Sequence, residues 1–134
     1  MPTIEALETK GGSNSLTDFI NELAVKHRGQ EHRYVQELKM VVRQFTEFGP
    51  RMNMMMSRKF PPFKSLHSIY PGLAELRTKK CRYFIYDTGL NGLWIGLHGY
   101  EKKSQDIPRN EIAKAKGEIQ QWIKNNINPK ELLA

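Results

Sequence analysis

A histidine, a tyrosine and two lysines stand close together at His98, Tyr100, Lys102 and Lys103, and two arginines, Arg77 and Arg82, precede them on neighbouring segments. Side chains of these types can cleave RNA without a metal. A base takes the proton of a ribose 2′-hydroxyl, cations stabilise the charge building on a phosphorane-like transition state, and an acid protonates the leaving 5′-oxygen. Histidine, with an ordinary pKa of about 6.5, serves as either acid or base near neutrality. Arginine offers a planar fork to phosphate oxygens, and tyrosine stacks on an unpaired base. The plainer alternative is that His98 and Tyr100 fill the far side of a sheet while the cations are ordinary surface.

Other chemistries find less in the chain. It has no glycine-rich phosphate loop, no His-Glu-x-x-His pair, no nucleophile elbow and no acidic triad for magnesium. A metal-dependent nuclease is therefore poorly supported, and neither a metal nor a cofactor is expected. His27, His32 and His67 read as solvated side chains. Met52, Met54, Met55 and Met56 read as adaptable packing rather than a ligand box. The single cysteine, Cys81, can make neither an internal disulfide nor a cysteine-based zinc site, so a reducing cytoplasm is the expected compartment. The opening residues lack the basic and apolar regions of a signal peptide, and no apolar run approaches the roughly 20 residues of a spanning helix.

The charge narrows the class of partner. The 134 residues carry 21 Lys+Arg against 14 Asp+Glu, a formal +7. Residues 1–57 balance to zero and residues 83–134 to +1. The stretch 58–82 holds Arg58, Lys59, Lys64, Arg77, Lys79, Lys80 and Arg82 against Glu75 alone, a block of +6. A concentrated positive field attracts polyanions, of which phosphate backbone is the usual one. A solubilising face would show the same charge.

These residues need elements to hold them. Ile4, Ala6 and Leu7 suggest an edge strand at about residues 3–9, followed by a link to residue 15. Ser15-Leu16-Thr17-Asp18 fits a capping box, with Leu16, Phe19, Ile20 and Leu23 at helical spacing to about Lys26. After a break at His27-Arg28-Gly29-Gln30, a longer helix carries Val35, Leu38, Val41, Val42, Phe45 and Phe48 and stops at Gly49-Pro50. The two helices read as an antiparallel hairpin. Residues 51–70 show neither period. Three strands follow, Leu73–Thr78, Arg82–Asp87 and Leu93–Tyr100, the last two joined through an Asn-Gly hairpin signal at Asn91-Gly92. Ile107-Pro108 opens a last helix with Ile112, Ala115, Ile119, Trp122 and Ile123 on one face, and 127–134 is a tail.

Segregated helices and strands give an α+β class, one domain over 1–134. Period two on the last strand sends Leu93, Ile95 and Leu97 one way, onto the helical hairpin. Trp94, Gly96, His98 and Tyr100 go the other, onto a more polar, open face shared with Glu75 and Arg77.

Several of these segments resemble a known family. Lys64-Ser65-Leu66 and Gly72-Leu73-Ala74-Glu75-Leu76-Arg77 are similar to the "K-x-L … G-L-x-E-L-R" start of the sheet in RelE/HigB-type toxins, in the phage-derived HigB-like branch. Arg82-Tyr83-Phe84-Ile85-Tyr86 resembles that branch's "Y-R-V-x-Y" strand, with Cys81 in place of the usual aromatic. Leu97-His98-Gly99-Tyr100-Glu101-Lys102-Lys103-Ser104-Gln105, continuing through Ile107-Pro108 to Glu111-Ile112 and Ala115, is similar to "L-H-G-F-x-K-K-T-Q-x-T-P-x-x-E-I-x-x-A". The likeness spans most of the chain and is weakest over the Met-rich segment.

The resemblance implies a RelE-like fold: an N-terminal helical hairpin on a small, mainly antiparallel sheet, plus a C-terminal helix. It implies a type II toxin that cleaves mRNA in the A site of the 70S ribosome, leaving a 2′,3′-cyclic phosphate. A helix-turn-helix antitoxin would neutralise it, with DNA engaged only through that antitoxin and no membrane involved. Carried over by position, Arg77 and Arg82 are assigned to phosphate, His98 to acid or base, and Lys102 and Lys103 to charge stabilisation and ribosomal RNA contact. Tyr100 is assigned to stacking, and Lys79, Lys80, Lys64, Arg58 and Lys59 to RNA binding. The competing reading on the same scaffold is a non-enzymatic ParE-like gyrase inhibitor, or a phage module that binds nucleic acid or a host protein.

Overall fold

Alternating apolar residues in the second half of the chain build most of a five-stranded mixed sheet, and helices from both halves cover its two faces. The computed structural model describes residues 2–7, 14–55 and 61–127. Strand β1 (Thr3–Ala6) leads into helices α1 (Ser15–Lys26) and α2 (Glu31–Phe48), then a 3-10 turn at Gly49–Arg51 and the short α3 (Met52–Met55). Strands β2 (Phe63–Ser65), β3 (Leu73–Arg77), β4 (Cys81–Asp87) and β5 (Leu93–Glu101) follow, and helix α4 (Arg109–Asn126) comes last. The strand order is β1-β5-β4-β3-β2, with β1 parallel to β5 and every other pairing antiparallel. The α+β class and the three-stranded meander β3–β4–β5 are as the sequence led us to expect. The end of the expected opening strand (residues 8–9), Met56, Arg58, Lys59 and the expected tail beyond Ile127 lie outside the described residues.

Turn chemistry explains the meander. Leu93 N donates to Leu90 O (2.9 Å) across Asn91 and Gly92, both at positive φ (50° and 74°). Positive φ at both central residues of this tight turn favours Asn-Gly, and the turn closes the five-residue link, 88–92, between β4 and β5. On one face of the sheet, α1 and α2 bury Phe19, Leu23, Tyr34, Val41 and Phe45 against Ala74, Leu76, Tyr83, Ile85 and Trp94. Phe45, fully buried, stacks on Phe63 (centroids 5.7 Å) and meets Trp94 edge-on (5.0 Å). Burial of a side chain of this size contributes about 1.5–3 kcal/mol. Both helices are seated on the sheet; a helical hairpin as a unit of its own is not evident.

Three local expectations change. The α1 cap is Asn14, whose Oδ1 accepts from Thr17 N (2.7 Å), while Ser15 Oγ is drawn off to donate to Glu118 Oε2 (2.6 Å). Residues 51–70 are not featureless. Met52 is buried in the core, and Asn53 donates to Phe63 O (2.7 Å) and accepts from Phe63 N (2.9 Å). The amide thus occupies the outer edge of β2 where another strand would otherwise pair. His27, expected in solvent, is part-buried with its Nε2 2.9 Å from Glu101 Oε2, while His67 is exposed as expected and its Nδ1 accepts from Gly72 N (3.1 Å).

The largest correction concerns the faces of β5. Leu93, Ile95 and Leu97 pack under α4, with Phe84, Ala115, Ile119 and Trp122, and not under α1 and α2. Along β5 a bulge then intervenes. Tyr83 pairs with Gly99 but Ile85 pairs with Gly96, so Phe84 alone faces both Leu97 and His98. One extra residue reverses the alternation beyond it. His98 and Tyr100 therefore join the α4 side, and Gly99 turns toward α1. A Cβ on Gly99 would lie 2.6 Å from Tyr83 Cδ1 and 2.7 Å from Phe19 Cδ2, atoms of two packed rings. Gly99→Ala is expected to destabilise the protein by at least the roughly 1–3 kcal/mol typical of overpacking, read as a lower urea midpoint at unchanged slope.

Candidate functional site

Strand register brings half of the expected constellation into one row. Arg77 on β3 pairs with Arg82 on β4, and Arg82 pairs with Tyr100 on β5, so the three side chains share the α4 side of the sheet. Two residues further in, on the same face, Lys64 on β2 is opposite Glu75 on β3. Two arginines directly opposite one another repel. Glu75, 2% exposed beside them, offsets that repulsion, with its Oε1 3.7 Å from Arg77 Nε. Burial pushes the Glu75 carboxyl above its ordinary range, while Arg77, Arg82 and Lys64 pull it back.

Arg82 is 5% exposed, and its Nη1 donates to Thr78 O (2.7 Å) and Cys81 O (2.8 Å). It ties the β3–β4 turn to the sheet as well as adding charge to the row. Tyr100 is half-buried and tilts against Phe84 at 5.5 Å. Burial first, then Glu75, pushes its hydroxyl up to about 12, so it remains protonated at neutral pH.

His98 is not on an open face. It is 2% exposed, with Nδ1 2.5 Å from Glu118 Oε1 and Nε2 2.7 Å from Glu111 Oε2, both on α4. Seven residues separate the two glutamates, two helical turns, which puts them on one helix face. Each contact needs one proton, so the three groups share two. Glu118 continues the chain to Ser15. Because Ser15 touches the carboxylate and not the imidazole, the set is not a nucleophilic triad.

Of these groups Glu111 reaches furthest outward, with 21% of its side chain exposed against 10% for Glu118. It lines a cleft of about 370 Å³ between α1, the end of β5 and the first turn of α4. Its lining includes Glu22 and Lys26 from α1, His98, Tyr100 and Glu101 from β5, and Lys103, Glu111 and Lys114 from the following loop and α4. Lys103 is thus brought to the His98–Glu111 pair. Lys102, Lys79 and Lys80 are not; they are exposed at the adjoining end of the sheet, where Lys102 N donates to Lys80 O (2.8 Å). Lys64 is exposed on the edge strand.

Sequence reasoning missed Glu111, Glu118 and Lys114. Glu118 carried a signal: it sits between Ala115 and Trp122 on the buried stripe of α4, where an unpaired acid is costly.

At the rim, Glu101 joins β5 to the end of α1 through Lys26 Nζ (3.0 Å) and His27 Nε2 (2.9 Å). Burial raises its carboxyl, but these bonds outweigh burial and hold it below the ordinary glutamate range. A depressed folded value stabilises the fold above the unfolded value, about pH 4.3, and that contribution is lost as pH falls through the folded value. Glu101→Gln is expected to cost up to about 1 kcal/mol at pH 7, with the gap to the parent closing in acid. Urea unfolding at pH 7 and pH 3 reads both ends.

No family model matches the chain, and comparison with curated proteins gives no match. The fold and site define an α+β protein with a mixed five-stranded sheet and a polar row beside a charged cleft. Among the described residues no helix is long and apolar enough to cross a membrane.

Proposed function

We propose that the chain is the toxin of a type II toxin–antitoxin pair, a ribosome-dependent endoribonuclease that cleaves translated mRNA to a 2′,3′-cyclic phosphate. The observation that carries this reading is the Arg77–Arg82–Tyr100 row, contiguous through Tyr100 with a cleft lined by Glu111, Lys103 and Lys114. A phosphodiester seated there meets cations where its transition state gains charge, an aromatic ring for a base, and a carboxylate for a proton. Lys79, Lys80 and Lys102 lie outside the cleft, suited to ribosomal RNA backbone, whose contacts weaken steeply with salt. The cognate partner is a helix-turn-helix antitoxin that covers this face.

Primer extension on a translated message after induction tests the reading. New 3′ ends within the reading frame, lost when initiation is blocked, are the expected result. Growth arrest with intact message overturns it, and DNA damage with mRNA spared would point instead to a gyrase-directed binder.

A further inference from the structure

We propose that Glu111 is the general base of this site, and that His98 is a positioning residue that acts through it from beneath. The proposal rests on the endoribonuclease reading above and says which carboxylate takes the proton and what holds it.

The geometry separates the two residues. His98 is 2% exposed, and both its ring nitrogens are engaged by α4 carboxylates, so neither nitrogen is free to act on a ribose. Both His98 and Glu111 border the cleft, but Glu111 has 21% of its side chain exposed there against 2% for His98. Its Oε2 is held by His98 Nε2 at 2.7 Å, whereas among the described residues Oε1 has Asn110 Nδ2 at 3.5 Å, the outer limit of a hydrogen bond. One oxygen is anchored and the other stays available as an acceptor. The backbone is anchored too, since Glu111 N donates to Pro108 O in the first turn of α4. Anchoring of this kind holds a reacting group within the narrow tolerance that proton transfer needs.

The other acids nearby are less suited. Glu22, also at the cleft, is exposed on α1 and stands apart from the anchored His98 set. Glu101 is occupied by Lys26 and His27. Glu75 is buried to 3% of its side chain behind Arg77. Lys103 and Lys114 share the cleft with Glu111, so the base and the cations that stabilise the transition state converge on one space.

In the proposed step Glu111 takes the 2′-hydroxyl proton as the 2′-oxygen bonds to phosphorus. The bond from phosphorus to the 5′-oxygen breaks, its electron pair stays on that oxygen, and the Lys103 ammonium supplies a proton to it. Proton return from Glu111 to Lys103 through water restores both groups, and no other reactant is consumed.

The test uses purified protein and ribosomes stalled on a defined message. Glu111→Gln is expected to lower kcat by about 10²- to 10⁴-fold with KM and ribosome co-sedimentation unchanged. Glu111→Asp, which keeps the carboxylate, is expected to recover part of the rate, and circular dichroism melts verify that both variants fold. His98→Gln is expected to lower kcat less, and to add nothing further in the Glu111→Gln background, as groups acting in series do. Cleavage by Glu111→Gln at the parent rate overturns the proposal, as does a loss confined to Glu75→Gln. A parent chain that leaves the message whole overturns the endoribonuclease reading itself and this proposal with it.

Discussion

On the proposed endoribonuclease reading, Arg77→Gln is expected to lower message cleavage by about two to three orders of magnitude, with a smaller loss of melting temperature than Arg82→Gln shows. The size follows from removing one preorganised donor aimed at transition-state charge. Arg77 is the more accessible of the paired arginines, with 20% of its side chain exposed. Its neighbour behaves differently because Arg82 also donates to Thr78 O and Cys81 O. Arg82→Gln is therefore expected to lose both cleavage and stability, since Thr78 O loses the Arg82 donor and Cys81 O keeps only its bonds from Thr78. Burial and the neighbouring Arg77 both lower the Arg82 pKa, yet an arginine stays charged throughout the accessible range. Neither loss should therefore depend on pH. Single-turnover cleavage with thermal melts of both variants separates the two expectations. Equal cleavage by Arg77→Gln and the parent would remove the row from the catalytic site.

Glu118→Ala is expected to cost about 3–5 kcal/mol, the range for removing one partner of a buried ion pair. The substitution strips a carboxylate from His98 Nδ1 and leaves the Ser15 hydroxyl without its acceptor. The effect reaches three elements, because Glu118 joins α4 both to β5 and to the start of α1. His98→Ala should cost a comparable amount, and the double variant less than the sum, as coupled neighbours require. Replacing His98 and Glu118 together by apolar residues of similar volume is expected to restore much of the loss, since burying the pair is itself expensive. Urea unfolding of the four proteins gives the coupling energy directly. Additive losses would show that the pair does not act as a unit.

Local rules account for most of the elements. Helical spacing of Phe19 and Leu23, and of Val41 and Phe45, marks the faces that α1 and α2 bury. Asn91-Gly92 announces the last hairpin, and Pro108 the start of α4. Composition placed the positive charge in one block, and the meander then put Lys79 and Lys80 beside Lys102. The types in the candidate site were likewise legible, because arginine, histidine, tyrosine and lysine are recognisable as groups that act on phosphate.

What side of the sheet those groups occupy was not legible. Period two holds only while the ladder is regular, and the bulge opposite Phe84 reverses it between Leu97 and Gly99. No local residue preference announces that extra residue. It is required because Phe19 and Tyr83 close over Gly99 from elsewhere in the chain. Once His98 is turned beneath α4, its role depends on residues 13 and 20 positions later, and pairing at that distance is set by how the helix docks. The sequence by itself thus determined the elements and the chemical types, which depend on nearest neighbours. Only the tertiary structure decided that His98 is buried and that Glu111 faces the cleft, because burial and proton sharing are properties of groups brought together from distant parts of the chain.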